Sequence, residues 1–154
     1  PFEANLQFLN SLAKEMVERG FVDNQFIESR CKGFGEYKQN LLNEKNDKTF
    51  FKNLNGYEEV TSQIEEIAKL LTKKTLFLWG LGITEHLDGT EAVNAISNLA
   101  MISGNFGKKG CGVIPLRGQN NVQGCCDVGC LPYYGPDYTT PKEIGLMTPQ
   151  SYQE

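Results

Sequence analysis

The residues best suited to chemistry lie in a segment of glycines and side-chain amides, residues 115–124, with the sequence PLRGQNNVQG. Arg117 carries a planar, permanently charged guanidinium that can hold a carboxylate through two parallel hydrogen bonds. Gln119 and Asn120 offer both donors and acceptors, which suits the polar edge of a pterin or guanine ring. Gly118 lets the backbone approach a flat ligand closely. A polar surface loop is the alternative, but such loops seldom combine many amides and glycines with a lone arginine.

A second candidate is the segment WGLGITEH, residues 79–86, which follows the apolar run 75–79. Glycines at a turn after a buried strand allow close approach of a ligand, and exposed N–H groups there can meet phosphate or ring oxygens. Gly80 and Gly82 form only a GxG pattern, without the third glycine of the dinucleotide-binding fingerprint. Without further support, a plain strand-to-helix turn is favoured at this position.

Other polar residues give weaker signals. His86 is the sole histidine and could be a proton shuttle, because histidine titrates near neutrality, or a hydrogen-bonding loop residue; both interpretations stay open. Lys108 and Lys109 could neutralise a phosphate, although a solvated turn is favoured.

The cysteines are not expected to form a metal site or a disulfide framework. Their number is odd, and their spacing fits neither zinc ribbons nor ferredoxin clusters. We therefore expect small, half-buried packing residues in a reducing, cytoplasmic environment. No base partner is evident for Cys126, so it is not interpreted as a nucleophile. The five cysteines are Cys31, Cys111, Cys125, Cys126 and Cys130.

The elements that position the two candidate segments follow an α/β pattern. The run 75–79 is apolar without alternation, which predicts a parallel strand buried on both faces. Residues 88–103 have a helical period, and Gly104 is the predicted C′ residue. Strand, glycine turn and helix together predict a parallel sheet covered by helices. Residues 104–129 show no period, and so long an irregular segment is unusual unless it binds something.

The first half of the chain, residues 1–74, is predicted to be helical. Apolar residues recur at three- and four-residue spacing from about residue 3 to residue 19, where Gly20 ends the helix. Asp23 is predicted to cap a second helix that ends near residue 30. The pattern also predicts a third helix between residues 35 and 46, a turn at 53–57, and a fourth helix at about 58–73.

Size and charge exclude several classes of protein. The chain has 154 residues, 15 basic and 19 acidic, and a net charge of −4. This fits one domain and argues against nucleic-acid or anionic-membrane partners, which favour basic surfaces. No apolar run approaches the length of a bilayer span. The start at Pro1 is not that of a secretory signal, so we expect a fragment or a processed chain.

Three segments, residues 79–86, 98–110 and 116–129, closely resemble the large subunits of molybdopterin-dependent formate dehydrogenases. The resemblance is dense from 79 to 132 and weaker through the N-terminal helices. It implies an α/β fold, with a parallel sheet and helices on its faces, that is part of the molybdopterin oxidoreductase fold.

The same resemblance implies a domain organisation. Residues 1–132 would be a fragment of the molybdopterin-binding domain, divided into a helical part, 1–74, and a strand-turn-helix and cofactor part, 75–132. Residues 133–154 would be an extended connector.

The resemblance also implies roles for individual residues. In that family the arginine that matches Arg117 sits beside the metal and orients formate. The residue that matches Gln119 lies against the pterin, as do the turn residues that match Leu81, Gly82 and Glu85. The family usually has glutamine at the last position, and the carboxylate here loses a donor and adds negative charge. With the residues singled out above, the candidate cofactor-binding set is Gly80, Leu81, Gly82, Glu85, Gly118, Gln119 and Asn120.

The cofactors implied are two molybdopterin guanine dinucleotides that hold molybdenum or tungsten, and an iron–sulfur cluster bound upstream of this segment. No metal ligand is expected within these 154 residues. The implied partners are formate, the remainder of the catalytic subunit and electron-transfer subunits. The segment alone is expected to be inactive. Cys125 departs from the family's frequent alanine.

Two other classes of function remain open at this stage. One is a related molybdopterin enzyme with another substrate, such as a formylmethanofuran-type oxidoreductase. The other is a non-catalytic binding or structural module, in which the amide segment is only an ordered loop.

Overall fold

The structure, a computed structural model, describes residues 4–43, 57–131 and 134–140, with the side chains of 57–61 excepted. The chain divides into two compact units, Pro1–Leu116 (unit 1) and Arg117–Glu154 (unit 2). No helix in the described ranges has the length and apolar character needed to cross a bilayer.

Unit 1 contains six helices and two strands within its described residues. In chain order they are α1 (Asn5–Glu18), α2 (Asn24–Arg30), α3 (Phe34–Asn43), α4 (Tyr57–Leu70), β1 (Leu76–Trp79), α5 (Leu81–Thr84), α6 (Gly89–Ile102) and β2 (Gly112–Pro115). The predicted helices are confirmed within a few residues at each end. Residues 44–56, which hold the predicted end of α3 and most of the predicted turn at 53–57, lie outside the described residues. Tyr57 is helical, so the turn prediction is wrong at that residue.

The core lies between the helices of unit 1, where α1 packs against α3, α4 and α6. Met16 and Ile64 have no exposed surface and Leu99 retains 1%. These residues belong to the apolar stripes that the sequence predicted for α1, α4 and α6. Complete burial of a side chain of this size contributes about 1.5–3 kcal/mol, so the helical packing is the main source of stability in this unit.

Two helices end at a glycine in the left-handed conformation, as predicted. Gly20 follows α1 with φ +70°, and Gly104 follows α6 with φ +68°. After each glycine the next N–H donates back into the helix, from Phe21 to Met16 and from Asn105 to Ala100, both at 2.8 Å. This is the Schellman pattern, in which carbonyls left over at a helix end find donors. The carbonyls at both helix ends are thereby paired.

A close neighbour also prevents any residue other than glycine at position 104. A Cβ at this position would lie 2.3 Å from Oδ2 of Asp23. The N–H of Asp23 donates to the Ile102 carbonyl at 2.8 Å, and its Oδ1 accepts from the Phe26 N–H at 2.9 Å. Asp23 is thus the predicted N-cap of α2, and it fastens that helix to the end of α6.

Asn105 joins three elements through a buried side chain. Its Nδ2 donates to the Leu71 carbonyl at 2.7 Å and to Oγ of Ser103 at 3.0 Å. Its Oδ1 accepts from the Thr75 N–H at 3.0 Å. Only 3% of Asn105 is exposed, and hydrogen bonds of such buried groups are costly to leave unmade. The amide therefore ties the residue after α4 and the residue before β1 to the end of α6.

The two strands pair in parallel, from Leu76 opposite Gly112 to Trp79 opposite Pro115. The predicted parallel strand is confirmed. Strand β2 was not predicted, because residues 104–129 were expected to lack regular structure, and that expectation is wrong. β2 has four residues between a glycine and a proline, which is too short for a period to show. Its pairing with β1 identifies it.

Among the described residues of unit 1, packing covers one face of the sheet. Phe77 packs against the core cluster, whereas Leu76, Leu78 and Ile114 are 44%, 53% and 42% exposed. Side chains alternate between the faces of a strand, so these three residues share the face opposite Phe77. The prediction that β1 is buried on both faces is therefore wrong for this structure, because the helices that pack on Phe77 cover only one side.

Unit 2 contains α7 (Val122–Asp127) and a 3-10 turn, Pro136–Tyr138, both inside segments predicted to be irregular. Nε2 of Gln123 donates to Oη of Tyr138 at 2.6 Å, and an isolated antiparallel bridge joins Leu131 to Tyr134. Of the predicted connector, 133–154, only 134–140 is described. The predicted boundary at residue 132 stays a prediction.

Replacing Asn105 with alanine should strongly destabilise the chain. The change leaves the Leu71 carbonyl and the Thr75 N–H without their partner, and each unsatisfied buried group costs about 1–3 kcal/mol. Urea denaturation of the 154-residue chain should show a loss of about 2–4 kcal/mol in unfolding free energy. Asn94→Ala, at an exposed position on α6, is the control and should shift it by less than about 0.5 kcal/mol. Equal effects of the two changes would refute the role of Asn105.

The Asp23 carboxyl should titrate below the ordinary range of an aspartate. The hydrogen bond from the Phe26 N–H is the larger cause of its lowered pKa, and the bond from Nζ of Lys108, at 3.0 Å, is the second. Since the folded-state pKa is depressed, the stabilisation is present above the unfolded-state pKa, about pH 4. It is lost as the pH falls through the folded-state value.

NMR titration of the Asp23 carboxyl checks this expectation. Lys108→Ala should raise the pKa only part of the way, because the N-cap bond remains. Lys109→Ala is the matched control and should leave the pKa unchanged. An ordinary pKa in the unmodified chain would contradict the arrangement.

Candidate functional site

Both candidate segments begin at the same edge of the parallel sheet. Trp79 and Pro115, the last residues of β1 and β2, lie side by side. One residue further, the Leu116 N–H donates to the Trp79 carbonyl at 2.7 Å. Gly80 and Leu116 therefore leave the sheet at its carboxyl edge, which is where ligands bind in open parallel α/β sheets.

The first segment forms one compact turn. Gly80 is extended, with φ −130° and ψ −157°, and α5 follows it immediately. The Glu85 N–H closes this short helix onto the Leu81 carbonyl at 2.9 Å. Leu81 is 55% exposed, and Gly82 and Glu85 are exposed as well. The structure thus brings the four predicted residues of this segment together in one accessible turn.

The glycines of this turn leave open space beside the backbone. A Cβ placed on Gly80 or on Gly82 would meet nothing within 4 Å. Neither glycine is therefore required by packing within unit 1. Space of this kind is what a flat ligand needs in order to lie against the backbone.

His86 has a positional role in this turn. Its Nε2 lies 3.0 Å from the Gly82 carbonyl, at hydrogen-bond distance. This supports the interpretation of His86 as a hydrogen-bonding loop residue. The bond ties the last residue of the segment to Gly82 in its middle, and a role of His86 as a proton shuttle stays a prediction.

The second segment opens unit 2. Arg117, Gly118, Gln119 and Asn120 are consecutive and all exposed. Within the described ranges, the side chains of Arg117, Gln119 and Asn120 make no hydrogen bond or ion pair. A Cβ on Gly118 would meet nothing within 4 Å. The structure leaves a charged fork and two amides accessible, in one stretch of chain.

Three other amides of the glycine-rich region, residues 104–129, have structural roles. Asn105 is the buried junction described above. Asn121 is left-handed, with φ 50°, and caps α7 by accepting from the Gly124 N–H at 3.3 Å. Gln123 donates to Asp127 at 3.1 Å and to Tyr138. The amides left for ligand binding are those of the candidate set, Gln119 and Asn120.

Lys108 also has a protein partner. Its Nζ forms the ion pair with Asp23 at 3.0 Å and lies 5.2 Å from the ring centre of Phe26. Lys108 is exposed in a turn, as the favoured interpretation has it, and it also forms an ion pair. A carboxylate and an aromatic ring already accompany its charge.

The cysteines differ from the expectation in one respect. All five are free, and Cys31, Cys111 and Cys126 are half-buried as predicted, but Cys125 and Cys130 are exposed. The part of the chain that the structure describes holds no cluster of three or more residues that could bind a metal ion. The sequence did not reveal that Cys125 and Cys130 are joined by a backbone hydrogen bond at the end of a helix. A glycine just before the second cysteine, Gly129, was the available signal.

The accessible groups of each segment suit particular kinds of ligand. Open glycines suit a flat ring, and amide side chains supply donors and acceptors for its polar edge. The guanidinium of Arg117 suits a carboxylate or phosphate. The donor set is therefore compatible with a heteroaromatic cofactor and a small anion.

Comparison with known proteins supports this chemistry. The model of the family described as molybdopterin oxidoreductase matches residues 3–153. The chain is 37% identical over 151 residues to Formate dehydrogenase H of Escherichia coli (strain K12), which covers 91% of this chain and 19% of that protein. It is 41% identical over 136 residues to the F420-dependent formate dehydrogenase 1 subunit alpha of Methanococcus maripaludis, covering 87% and 20% respectively.

A third relative has a less specific name. The chain is 36% identical over 141 residues to the Probable oxidoreductase YjgC of Bacillus subtilis (strain 168), covering 88% of this chain and 14% of that protein. The chain thus spans about a fifth or less of the length of these relatives. The predicted resemblance to formate dehydrogenases and the predicted α/β fold with parallel strands are confirmed. This chain belongs to the molybdopterin oxidoreductase family.

Proposed function

We propose that this chain is part of the catalytic subunit of a formate dehydrogenase, which converts formate to carbon dioxide or catalyses the reverse reaction. The proposed centre is molybdenum or tungsten held by two molybdopterin guanine dinucleotides. Relatives from a bacterium and an archaeon are named formate dehydrogenases, at 37% and 41% identity. Their agreement supports formate over other substrates of the family.

The exposed guanidinium of Arg117 is the observation that carries the proposal. It follows directly after Leu116, which leaves the carboxyl edge of the sheet beside Trp79. No carboxylate among the described residues neutralises it. A cation without a protein partner can bind an anionic substrate without first breaking an ion pair.

Arg117 would bind formate through two charge-assisted hydrogen bonds, one to each oxygen. This pairing fixes the plane of the carboxylate and directs its C–H bond to one side. Formate carries one negative charge, whereas carbon dioxide carries none. Loss of the C–H hydrogen and two electrons therefore removes the charge that Arg117 holds, which weakens binding of the product and favours its release.

The residues proposed to hold the cofactor are those of the two accessible segments. Gly80, Leu81, Gly82 and Glu85 form one turn, and the open space beside Gly80 and Gly82 suits contact with a flat ring. The Glu85 carboxylate can accept hydrogen bonds but, when ionised, cannot donate them. It therefore suits an N–H group of a pterin better than a pterin oxygen.

Gly118, Gln119 and Asn120 form the second segment. The free side-chain amides of Gln119 and Asn120 can both donate and accept hydrogen bonds, which matches the donors and acceptors on the edge of a pterin ring. When bound, the metal–pterin cofactor supplies the redox chemistry by accepting the two electrons of formate. The protein residues contribute orientation and electrostatics.

The remaining features of the proposal concern the rest of the enzyme. They are an iron–sulfur cluster held upstream, electron-transfer subunits as partners, a cytoplasmic location, and no activity of residues 1–154 alone. An oxidoreductase of this family with another substrate is the alternative, and the less specific name of the Bacillus relative keeps it open. Absence of molybdenum, tungsten and pterin from the purified full-length protein would favour a non-catalytic module.

Replacing Arg117 with alanine in the full-length enzyme should lower kcat/KM for formate by roughly 100-fold or more, because the paired charge-assisted contacts to formate are lost. The Arg117→Lys enzyme should have a kcat/KM between those of the unmodified and the Arg117→Ala enzymes, since an ammonium keeps the charge but cannot form the planar fork. Formate-dependent dye reduction measures the effect. Metal and pterin content should stay unchanged.

Arg30→Ala is the matched control, because Arg30 is an exposed arginine at the end of α2. It should leave kcat/KM within about twofold of the unmodified enzyme, which corresponds to about 0.4 kcal/mol. Normal formate turnover by Arg117→Ala enzyme with full cofactor content would exclude the substrate assignment.

A further inference from the structure

Two exposed cysteines flank the turn at the end of α7. Cys125 and Cys130 are both exposed and free, and they lie on either side of the turn that ends this helix. The Cys130 N–H donates to the Cys125 carbonyl at 2.8 Å, and the Gly129 N–H donates to the Cys126 carbonyl at 3.0 Å. Gly129 is left-handed, with φ +86°. These features define a Schellman motif with Cys125 at C3 and Cys130 at C″.

The motif brings the backbones of these two residues together. Contact between the residues at C3 and C″ is a regular accompaniment of the motif. The hydrogen bond from the Cys130 N–H to the Cys125 carbonyl holds the two backbones close together, and a disulfide requires Cα atoms about 4.4–6.8 Å apart. The backbone is therefore already in a geometry that permits a disulfide between Cys125 and Cys130.

The turn between the two cysteines is held in place. A Cβ on Gly129 would lie 2.7 Å from Cδ of Pro136, so the glycine packs closely against the start of the 3-10 turn. Its positive φ also excludes most other residues. The geometry that juxtaposes Cys125 and Cys130 is thus maintained by contacts outside the pair.

Cys126 is not an equivalent partner. It is half-buried, and consecutive residues of a helix point about 100° apart around its axis, so Cys125 and Cys126 do not face each other. Cys126 occupies the C2 position, whose side chain the Schellman motif does not bring to C″. The sequence places a third cysteine here, but the helix geometry selects one pair.

We propose that Cys125 and Cys130 form a thiol–disulfide site that low-molecular-weight disulfides, such as oxidised glutathione, oxidise reversibly. The thiolate of one cysteine attacks the small disulfide and releases one small thiol. The second cysteine attacks the resulting mixed disulfide and releases another. The two protein thiols lose two electrons and two protons, and the small disulfide gains them. The product covalently joins the last turn of α7 to the residue after Gly129.

The test is a redox equilibration of the purified full-length protein. The protein is incubated in a glutathione buffer rich in the oxidised form, remaining thiols are blocked with iodoacetamide, and the tryptic peptide of residues 118–142 is analysed by mass spectrometry. We expect a peptide that lacks two hydrogens, is blocked only at Cys126, and does not fragment between residues 125 and 130. Dithiothreitol should restore three blocked cysteines.

Three serine variants make the test specific. Cys126→Ser should form the cross-link to the same extent as the unmodified protein. Cys125→Ser and Cys130→Ser should lose it, and the remaining exposed cysteine should carry glutathione. The proposal is overturned if Cys125 and Cys130 stay fully blocked by iodoacetamide, if each carries a separate glutathione, or if Cys126 is a member of the cross-link.

Discussion

The buried amide of Asn105 is the interaction on which the arrangement of unit 1 depends. It is bonded to the residue after α4, the residue before β1 and the last turn of α6. Its own N–H completes the Schellman end of α6. Because the helices supply the core and Asn105 fixes where β1 begins relative to them, this side chain sets the position of the sheet. The turn at Gly80–Glu85 begins directly after the four residues of β1, so its position depends on that of the strand.

The sheet positions the residues at which both candidate segments begin. Parallel pairing places the ends of β1 and β2 side by side, so the chain leaves the sheet at one edge in both segments. Several polar residues of the two segments are bonded within the protein. His86 is bonded to the Gly82 carbonyl, Asn121 caps α7, and Gln123 donates to Tyr138. What stays accessible is a small set of open glycines, the amides of Gln119 and Asn120, and the Arg117 guanidinium.

Local signals in the sequence predicted the features that depend on local chemistry. The ends at Gly20 and Gly104 and the cap at Asp23 follow from backbone preferences of single residues, and the core stripes follow from helical period. Strand β2 and the role of Asn105 were missed because both are defined by partners distant in sequence. Residue types alone indicated that the amide segment suits the edge of a flat polar ring. The resemblance of residues 79–86 and 116–129 to a known family made the cofactor hypothesis specific and extended it to the first segment. The exposed face of β1 was missed because apolar composition does not reveal how many layers cover a sheet.

The proposed function requires that residues 80–85 and 117–120 lie against a metal-bound pterin and that the Arg117 guanidinium faces a small carboxylate. The most direct measurement is an experimental structure of the cofactor-loaded full-length subunit with formate or an unreactive anion bound. We expect both segments in contact with the pterin and both terminal nitrogens of Arg117 within hydrogen-bond distance of the anion. An Arg117 turned away from any cavity and ion-paired with a protein carboxylate would contradict the claim.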